Sequence, residues 1–237
     1  MSNVTRRDLI ALGAQGFFAV VSTLPLLGCT PTGKRSSPVV EVRSWERFIE
    51  QVGKLAEQQI DPAWDQVAYT AQVQAMLREL DLTDHHLKEV MARYRNAHRN
   101  FPEINALHQE QIFMVSLLEF EPGEQIELHD HPDMTGCILC SEGEINVQNY
   151  TLDERKSERG RPLLRAASAI TMTPGSTGTL TATTANIHAL QAVTFTRLID
   201  VFTPPYNADR SQRSRWYVRE PQPYPLVPEC YEATVRA

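Results

Sequence analysis

The sequence predicts a mainly β domain, a double-sheet jelly-roll barrel that follows an N-terminal helical segment. Two observations lead to this prediction. Before residue 100, apolar residues recur at the three- and four-residue spacing of amphipathic helices. From Ile104 onward the period changes to short strand-like runs separated by turn formers, and this change is typical of an α+β layout with segregated elements. The eight predicted runs are enough for a jelly-roll barrel.

The first 28 residues are predicted to be an export signal. Residues 5–10 read T-R-R-D-L-I, which is a twin-arginine pattern, and residues 9–29 carry no charge. Residues 26–29, L-L-G-C, look like a bacterial lipobox, in which Cys29 is acylated and becomes the new N-terminus. An uncleaved anchor and cleavage without a lipid are the alternatives. All three place the rest of the chain outside the cytoplasm, so we expect a periplasmic protein or a membrane-anchored lipoprotein.

The charge balance gives no indication of a polyanionic partner. The 237-residue chain has a net charge of −6, and removal of residues 1–28 leaves 21 basic and 28 acidic residues, a net charge of −7. Nucleic acid is therefore not expected as a partner, and contact with a membrane is expected only through the lipid or the N-terminal segment. Three cysteines besides Cys29 are too few for a disulfide scaffold. The remaining length fits a single domain, which we expect to be monomeric.

Residues 29–43 are predicted to be a tether, because their first part is rich in turn formers and polar residues. Residues 44–100 are predicted to be a helical segment that packs on the barrel. The first helix follows Ser44 as its cap, and Glu46 lies in its first turn. The second helix is expected over residues 65–80 and the third over about 84–97, with Thr83 or Asp84 as the cap.

Residues 101–237 are predicted to form the barrel and a C-terminal extension. The eight strands are expected at residues 111–120, 125–131, 135–140, 144–150, 167–173, 179–183, 188–193 and 197–202. Residues 153–161, D-E-R-K-S-E-R-G-R, are interpreted as a charged, solvated connection. A second basic stretch could bind an acidic ligand, although a surface loop is the simpler interpretation; it contains Arg210, Arg213, Arg215, Trp216, Tyr217 and Arg219.

Two histidines between Gly123 and Gly143 carry the strongest chemical signal. In an extended strand, residues two apart point to the same side, so His129 and His131 can hold one metal ion together. Turn formers at 122–123 and 132–133 bound this strand and place the pair at its end. The pair is half of a predicted metal site.

The spacing around this pair resembles the first motif of the cupins, which are small double-sheet β-barrels. That motif has a glycine, five residues, His-x-His, four residues, an acidic ligand, six residues and a second glycine. Gly123, His129, His131 and Gly143 match it, but Gly136 occupies the acidic position. This departure is similar to the thiol dioxygenases, whose iron is held by three histidines.

The closest resemblance is to the cysteamine dioxygenase and plant cysteine oxidase branch. It rests on residues 129–135 (H-D-H-P-D-M-T), 186–189 (N-I-H-A) and 199–206 (I-D-V-F-T-P-P-Y). The resemblance implies that His129, His131 and His188 bind Fe(II), and that a thiol and O₂ react to give a sulfinate. It further implies that Asp200 helps to place the substrate. Tyr206 is interpreted either as a hydrogen-bond donor to bound oxygen or sulfur, or as packing at the rim.

Three neutral imidazoles leave a divalent metal with its full charge, which favours an anionic ligand such as a thiolate. Asp200 could pair with the ammonium of cysteamine or of an N-terminal cysteine, or it could instead cap a turn at the end of its strand. Cysteine or another small thiol would also fit the pattern. Two other functions remain open: zinc-dependent hydrolysis at the same three histidines, and a non-catalytic cupin that binds a metal or ligand at the cell surface.

The other histidines and cysteines are predicted to have no role at the metal. The histidines are His85, His86, His98 and His108. Cys137 and Cys140 form a C-x-x-C, but strand residues three apart lie about 10 Å from each other on opposite faces, whereas a disulfide needs Cα atoms within about 7 Å. We therefore predict core thiols.

Overall fold

The computed structural model describes residues 42–93 and 102–236. The predicted export signal and lipobox lie outside these ranges, as do most of the tether, His98 and the end of the third predicted helix. Among the described residues, none of the helices combines the length and apolar character that a membrane span needs.

The three predicted helices are present, and the first and third begin at predicted caps, Ser44 and Asp84. They are α1 (Trp45–Ala56), α2 (Gln66–Arg78) and α3 (His85–Ala92), and a 3₁₀ turn (Glu57–Ile60) follows α1. The side chains of Ser44, Asp65 and Asp84 each accept a hydrogen bond from a backbone N–H in the first turn. These bonds satisfy N–H groups that have no partner inside the helix.

The described chain then forms eleven strands and one short helix. They are β1 (Glu103–Gln109), β2 (Met114–Phe120), β3 (Gln125–His129), β4 (Thr135–Glu142), β5 (Ile145–Lys156), β6 (Pro162–Met172), β7 (Thr177–Leu180), β8 (Ile187–Ala192), β9 (Thr196–Thr203), α4 (Ala208–Arg213), β10 (Tyr217–Arg219) and β11 (Cys230–Val235). These strands make two antiparallel sheets, ordered β1-β2-β9-β4-β7 and β10-β11-β6-β5-β8-β3. The fold is the predicted cupin barrel with N-terminal helices.

The first sheet is covered on both faces. One face packs against α1, α2 and α3, and the other contributes to an apolar cluster with the second sheet. This double coverage explains why all seven residues of β2 are buried. Cys137 belongs to the helix-side cluster and Cys140 to the cluster between the sheets, and both are free thiols, so the predicted core role is confirmed.

The structure differs from the prediction in several strands and connections. β1, β10 and β11 were not predicted, since β1 is a half-exposed edge strand and β10 has only three residues. The charged run is only partly a connection, because β5 continues to Lys156 and residues 157–161 alone join it to β6; Asp153, at the strand end of the run, pairs with Arg155 and Arg165. The predicted basic loop contains α4 and β10. The strand with the histidine pair ends at His129, so His131 lies just beyond β3.

Candidate metal centre

The structure brings the three predicted histidines together inside the barrel. His129 ends β3 and is the direct antiparallel partner of His188 on β8, while His131 follows two residues later. Their ring nitrogens lie within 4.8 Å of one another, and all three residues are buried. The register between β3 and β8 therefore assembles a three-nitrogen site from two separate motifs.

The donor nitrogens of the three histidines lie close enough together for one metal ion to contact all of them. Nδ1 of His129 donates to the carbonyl oxygen of Glu127 at 2.8 Å, which leaves Nε2 with a free lone pair. Nδ1 of His131 contacts the hydroxyl of Tyr206, and its Nε2 lies 2.9 Å from Nε2 of His188. Two nitrogens bound to one metal at about 2.1 Å, at right angles, would stand about 3 Å apart. The donor set therefore fits a divalent cation.

Burial keeps the three imidazoles neutral. Loss of solvation lowers the pKa of His129 and lowers the pKa of His131 and of His188 well below the ordinary value. Mutual repulsion among the rings lowers the pKa of His131 and His188 further. Neutral imidazole is the form that binds a metal, so the site is ready for one without first losing protons.

Asn186 links the two halves of the site. Its Oδ1 accepts from the backbone N–H of His131 at 2.8 Å, and its Nδ2 donates to the carbonyls of His131 at 3.0 Å and Thr181 at 2.8 Å. The turn after β3 is thereby fixed to the start of β8. The sequence signal for this role is the position of Asn186 two residues before His188.

Asp130 lies between the two ligands and points the other way. It is 4% exposed, and it accepts hydrogen bonds from the backbone N–H of Arg215, from the guanidinium of Arg215 and from the hydroxyl of Tyr217. Sequence reasoning missed this cluster. The available signal was strand alternation, which turns Asp130 away from the face that carries the histidines. Two arginines of the basic stretch thus bind acidic side chains of this protein, since Arg213 pairs with Asp133.

Phe202 fills the space at Gly136. A Cβ added at Gly136 would lie 2.7 Å from Cε1 of Phe202, closer than real Cβ contacts allow. The same ring packs on His131, with ring centroids 4.7 Å apart. The position where cupins of the common type carry an acidic ligand is thus occupied by an aromatic ring from β9.

A cavity of about 410 Å³ runs from the histidines into the barrel. Its walls are mainly apolar, with Asp200 as the buried carboxylate. Asp200 pairs across the sheet with Ser116 and Ile138, whereas Phe202, which packs on His131, pairs with Met114. Asp200 precedes Phe202 by two residues on β9, so the strand rise separates them by about 7 Å.

One carboxylate oxygen of Asp200 lacks a hydrogen bond in this position. Its Oδ1 is buried and has no hydrogen-bond partner among the described residues. Burial raises the pKa of its carboxyl to about 8. A buried carboxylate oxygen without a partner, in a cavity beside three metal-binding side chains, is an arrangement that a cationic group of a ligand can complete.

Tyr206 also reaches the cavity, where its hydroxyl contacts His131. Burial, together with the charges of Asp200 and Asp130, raises the pKa of its phenol. Tyr206 therefore remains protonated. Its hydroxyl can serve as the donor that the sequence suggested, and its contact with His131 is a further role that neither interpretation from the sequence included.

The remaining described histidines lie outside the cavity. His85 and His86 are exposed on α3 near Glu89, and His108 pairs with Glu110 at 2.9 Å. Their exposure agrees with the prediction that they are not ligands of the buried site.

Comparison with known proteins gives one family and several structures. A family model described as PCO_ADO matches residues 74–232, which is 159 of the 237 residues. A cupin superfamily protein from Desulfitobacterium hafniense is 19% identical, with a TM-score of 0.34, over 48% of this chain and 86% of that chain. Ectoine synthase from P. lautus is 18% identical, with a TM-score of 0.39, over 54% of this chain and 81% of that chain.

Proposed function

Because the chain belongs to the plant cysteine oxidase/cysteamine dioxygenase family, a family of thiol dioxygenases, we propose that it is an iron-dependent enzyme that oxidises an amine-bearing thiol to a sulfinate. The observation that carries the proposal is the buried site of three neutral histidines with Phe202 in place of a carboxylate ligand. The candidate substrates are cysteamine, cysteine and a peptide with an N-terminal cysteine.

The overall reaction is balanced without a further reductant. One thiol and one O₂ give one sulfinate and one proton; sulfur loses four electrons and O₂ gains them, and both oxygen atoms end on sulfur. Iron, when bound, favours the thiolate over the thiol and activates O₂. His129, His131 and His188 would hold it, and because none of them carries negative charge, the centre would favour an anionic substrate group such as a thiolate.

Asp200 would bind the amine of the substrate. Its pKa of about 8, raised by burial, keeps it largely protonated at neutral pH when no cation lies beside it. An ammonium beside the carboxyl favours the ionised form and lowers this pKa, because opposite charges stabilise each other in a buried site. The ammonium would also give Oδ1 the partner that it lacks. The thiol would then be held at the metal end and the amine at Asp200, so that the sulfur is oriented for reaction.

The test is a panel of thiols incubated with protein loaded with Fe(II) or with Zn(II). We expect one or more amine-bearing thiols to gain two oxygen atoms by mass spectrometry, with Fe(II) and O₂ only. An anaerobic sample is the control. Imidazole sites bind Zn²⁺ more tightly than Fe²⁺ in raw affinity, so zinc found in purified protein would not decide the question. No gain of oxygen by any thiol with Fe(II) would contradict the dioxygenase. Zn(II)-dependent cleavage of an ester or amide panel would then support the hydrolase, and no cleavage would support the binding protein.

We also propose that the protein is exported and carries a lipid on Cys29. The support is the twin-arginine pattern at residues 5–10 and the L-L-G-C at residues 26–29. In a bacterial host, the protein is expected in the membrane fraction, facing outward, with an acylated N-terminal Cys29 by mass spectrometry. Cys29→Ala should release it or leave an unprocessed precursor, while Ser37→Ala, in the predicted tether, should change nothing. Unmodified full-length chain in the cytosol would contradict the proposal.

A further inference from the structure

The indole of Trp216 is stacked on the imidazole of His129. The two ring centroids are 4.9 Å apart and the ring planes differ by 24°. The backbones of the two residues also form an antiparallel bridge. Trp216 is 37% exposed and lines the cavity, so it covers His129 on the side that would otherwise meet solvent.

The residues on either side of Trp216 form hydrogen bonds to Asp130, which lies between the two histidines of the first motif. The backbone N–H of Arg215 donates to Oδ1 of Asp130 at 2.7 Å, and the carbonyl of Arg215 accepts from the N–H of Asp130 at 3.0 Å. The guanidinium of Arg215 and the hydroxyl of Tyr217 both lie 2.8 Å from Oδ2 of Asp130. We call these three residues, Asp130, Arg215 and Tyr217, the clamp.

Successive side chains of the two paired segments point to opposite sides, and this alternation explains why Trp216 lies over His129. His129 points into the barrel and Asp130 points out, so a segment that bonds to Asp130 through Arg215 and Tyr217 places Trp216, between them, over His129. A neighbouring pair strengthens the attachment, because Arg213 lies 2.6 Å from Asp133. The clamp carboxylate is buried, and loss of one partner of a buried charge pair is costly.

We propose that Trp216 is a positioning residue for the metal centre, and that the clamp holds it there. The bond from Nδ1 of His129 to Glu127 fixes one edge of the imidazole, and the stacked indole fixes the plane of the ring. Together they keep Nε2 directed into the site. The inference rests on the proposed function only for the identity of the native metal, since it concerns the ligand geometry.

The test measures binding of Co²⁺ to the metal-free full chain, without any thiol. A paramagnetic ion quenches an indole close to it, so Co²⁺ is expected to quench part of the tryptophan fluorescence. Trp216→Phe should remove this quench but keep the Co²⁺ affinity by calorimetry within about threefold, because phenylalanine can still stack. Trp216→Leu should lose the quench and about tenfold in Co²⁺ affinity, the range found for partners that orient metal ligands.

Two further variants separate positioning from general stability. Trp45→Phe, which changes a tryptophan in the cluster on the helix side of the first sheet, should keep the quench and the affinity. Asp130→Asn keeps the shape of the clamp but removes its charge, and should lower both the Co²⁺ affinity and the extent of quenching. Wild-type Co²⁺ affinity in Trp216→Leu, or a full quench in Trp216→Phe, would overturn the positioning role. Unchanged binding in Asp130→Asn would overturn the role of the clamp. A failed thiol assay would bear on the proposed function alone.

Discussion

His188→Ala is expected to yield a folded protein that contains almost no metal and has lost nearly all thiol oxidation. The structure supplies three imidazole nitrogens to the site, so alanine removes a third of its protein donors. Residues that only orient a ligand already cost 10–100-fold in metal affinity when changed, so loss of a ligand should cost more than about 100-fold. The checks are metal analysis of the purified protein and O₂ uptake with the best thiol.

His129→Ala and His131→Ala should behave in the same way, with about one iron per chain in the parent protein. His108→Ala is the matched control, because His108 lies outside the cavity and pairs with Glu110. It should keep the metal and the activity. Full metal content in His188→Ala, in a protein with a native circular-dichroism spectrum, would remove His188 from the site.

Asp200→Asn is expected to keep its metal while losing turnover of amine-bearing thiols. Asparagine has nearly the same shape but cannot carry the charge that pairs with an ammonium. Loss of an ion pair in a buried cleft costs on the order of 2–4 kcal/mol, which corresponds to roughly thirtyfold to a thousandfold in kcat/KM. The measurement compares thiols with and without an amine on both proteins at saturating O₂.

The loss of kcat/KM that Asp200→Asn causes for the thiol without an amine decides which role Asp200 has. A smaller penalty on this thiol supports pairing between Asp200 and the ammonium. An equal penalty on every thiol would show that Asp200 orients a ligand or bound O₂. If no thiol suffers a penalty, substrate choice must lie with other residues of the cavity, such as Tyr206 and the residues around Trp216.

Stability of the metal-free protein provides the folding control for this variant. The pKa of Asp200 is about 8 in the folded protein, against about 4 in an unfolded chain. Between these values the folded protein binds the extra proton, so stability falls as pH rises, by at most about 1.4 kcal/mol per pH unit. Asp200→Asn removes this dependence. It should therefore unfold at a higher temperature than the parent at pH 7, and the difference should shrink toward pH 4.

The sequence predicted the parts of the site that depend on local spacing. His129 and His131 are two residues apart, and His188 and Asp200 lie in short motifs, so their presence at one site could be predicted without the fold. The contact between Asp130 and Arg215 joins residues 85 positions apart, and nothing in the local pattern indicates it. Trp216 was likewise assigned to a surface loop, because its partner ring comes from a distant strand.

The same distinction applies to the fold. Helix caps and the barrel strands with strong alternation were predicted, whereas β1, β10 and β11 were missed because their apolar faces are short or half-exposed. The absence of an acidic residue at Gly136 was visible in the sequence. Its cause was not visible, because the ring that fills the space belongs to Phe202 on another strand.

The contact between Gly136 and Phe202 makes these two positions epistatic. Glutamate at 136 would force the ring of Phe202 to move, because even a Cβ would lie 2.7 Å from it. Changing Phe202 to alanine first would leave a void, at a cost of roughly 3–5 kcal/mol, and would remove the packing on His131. Either order of single substitutions passes through an impaired intermediate. A mutational path from this three-histidine centre to one with a carboxylate ligand therefore passes through a less stable protein unless both changes occur together.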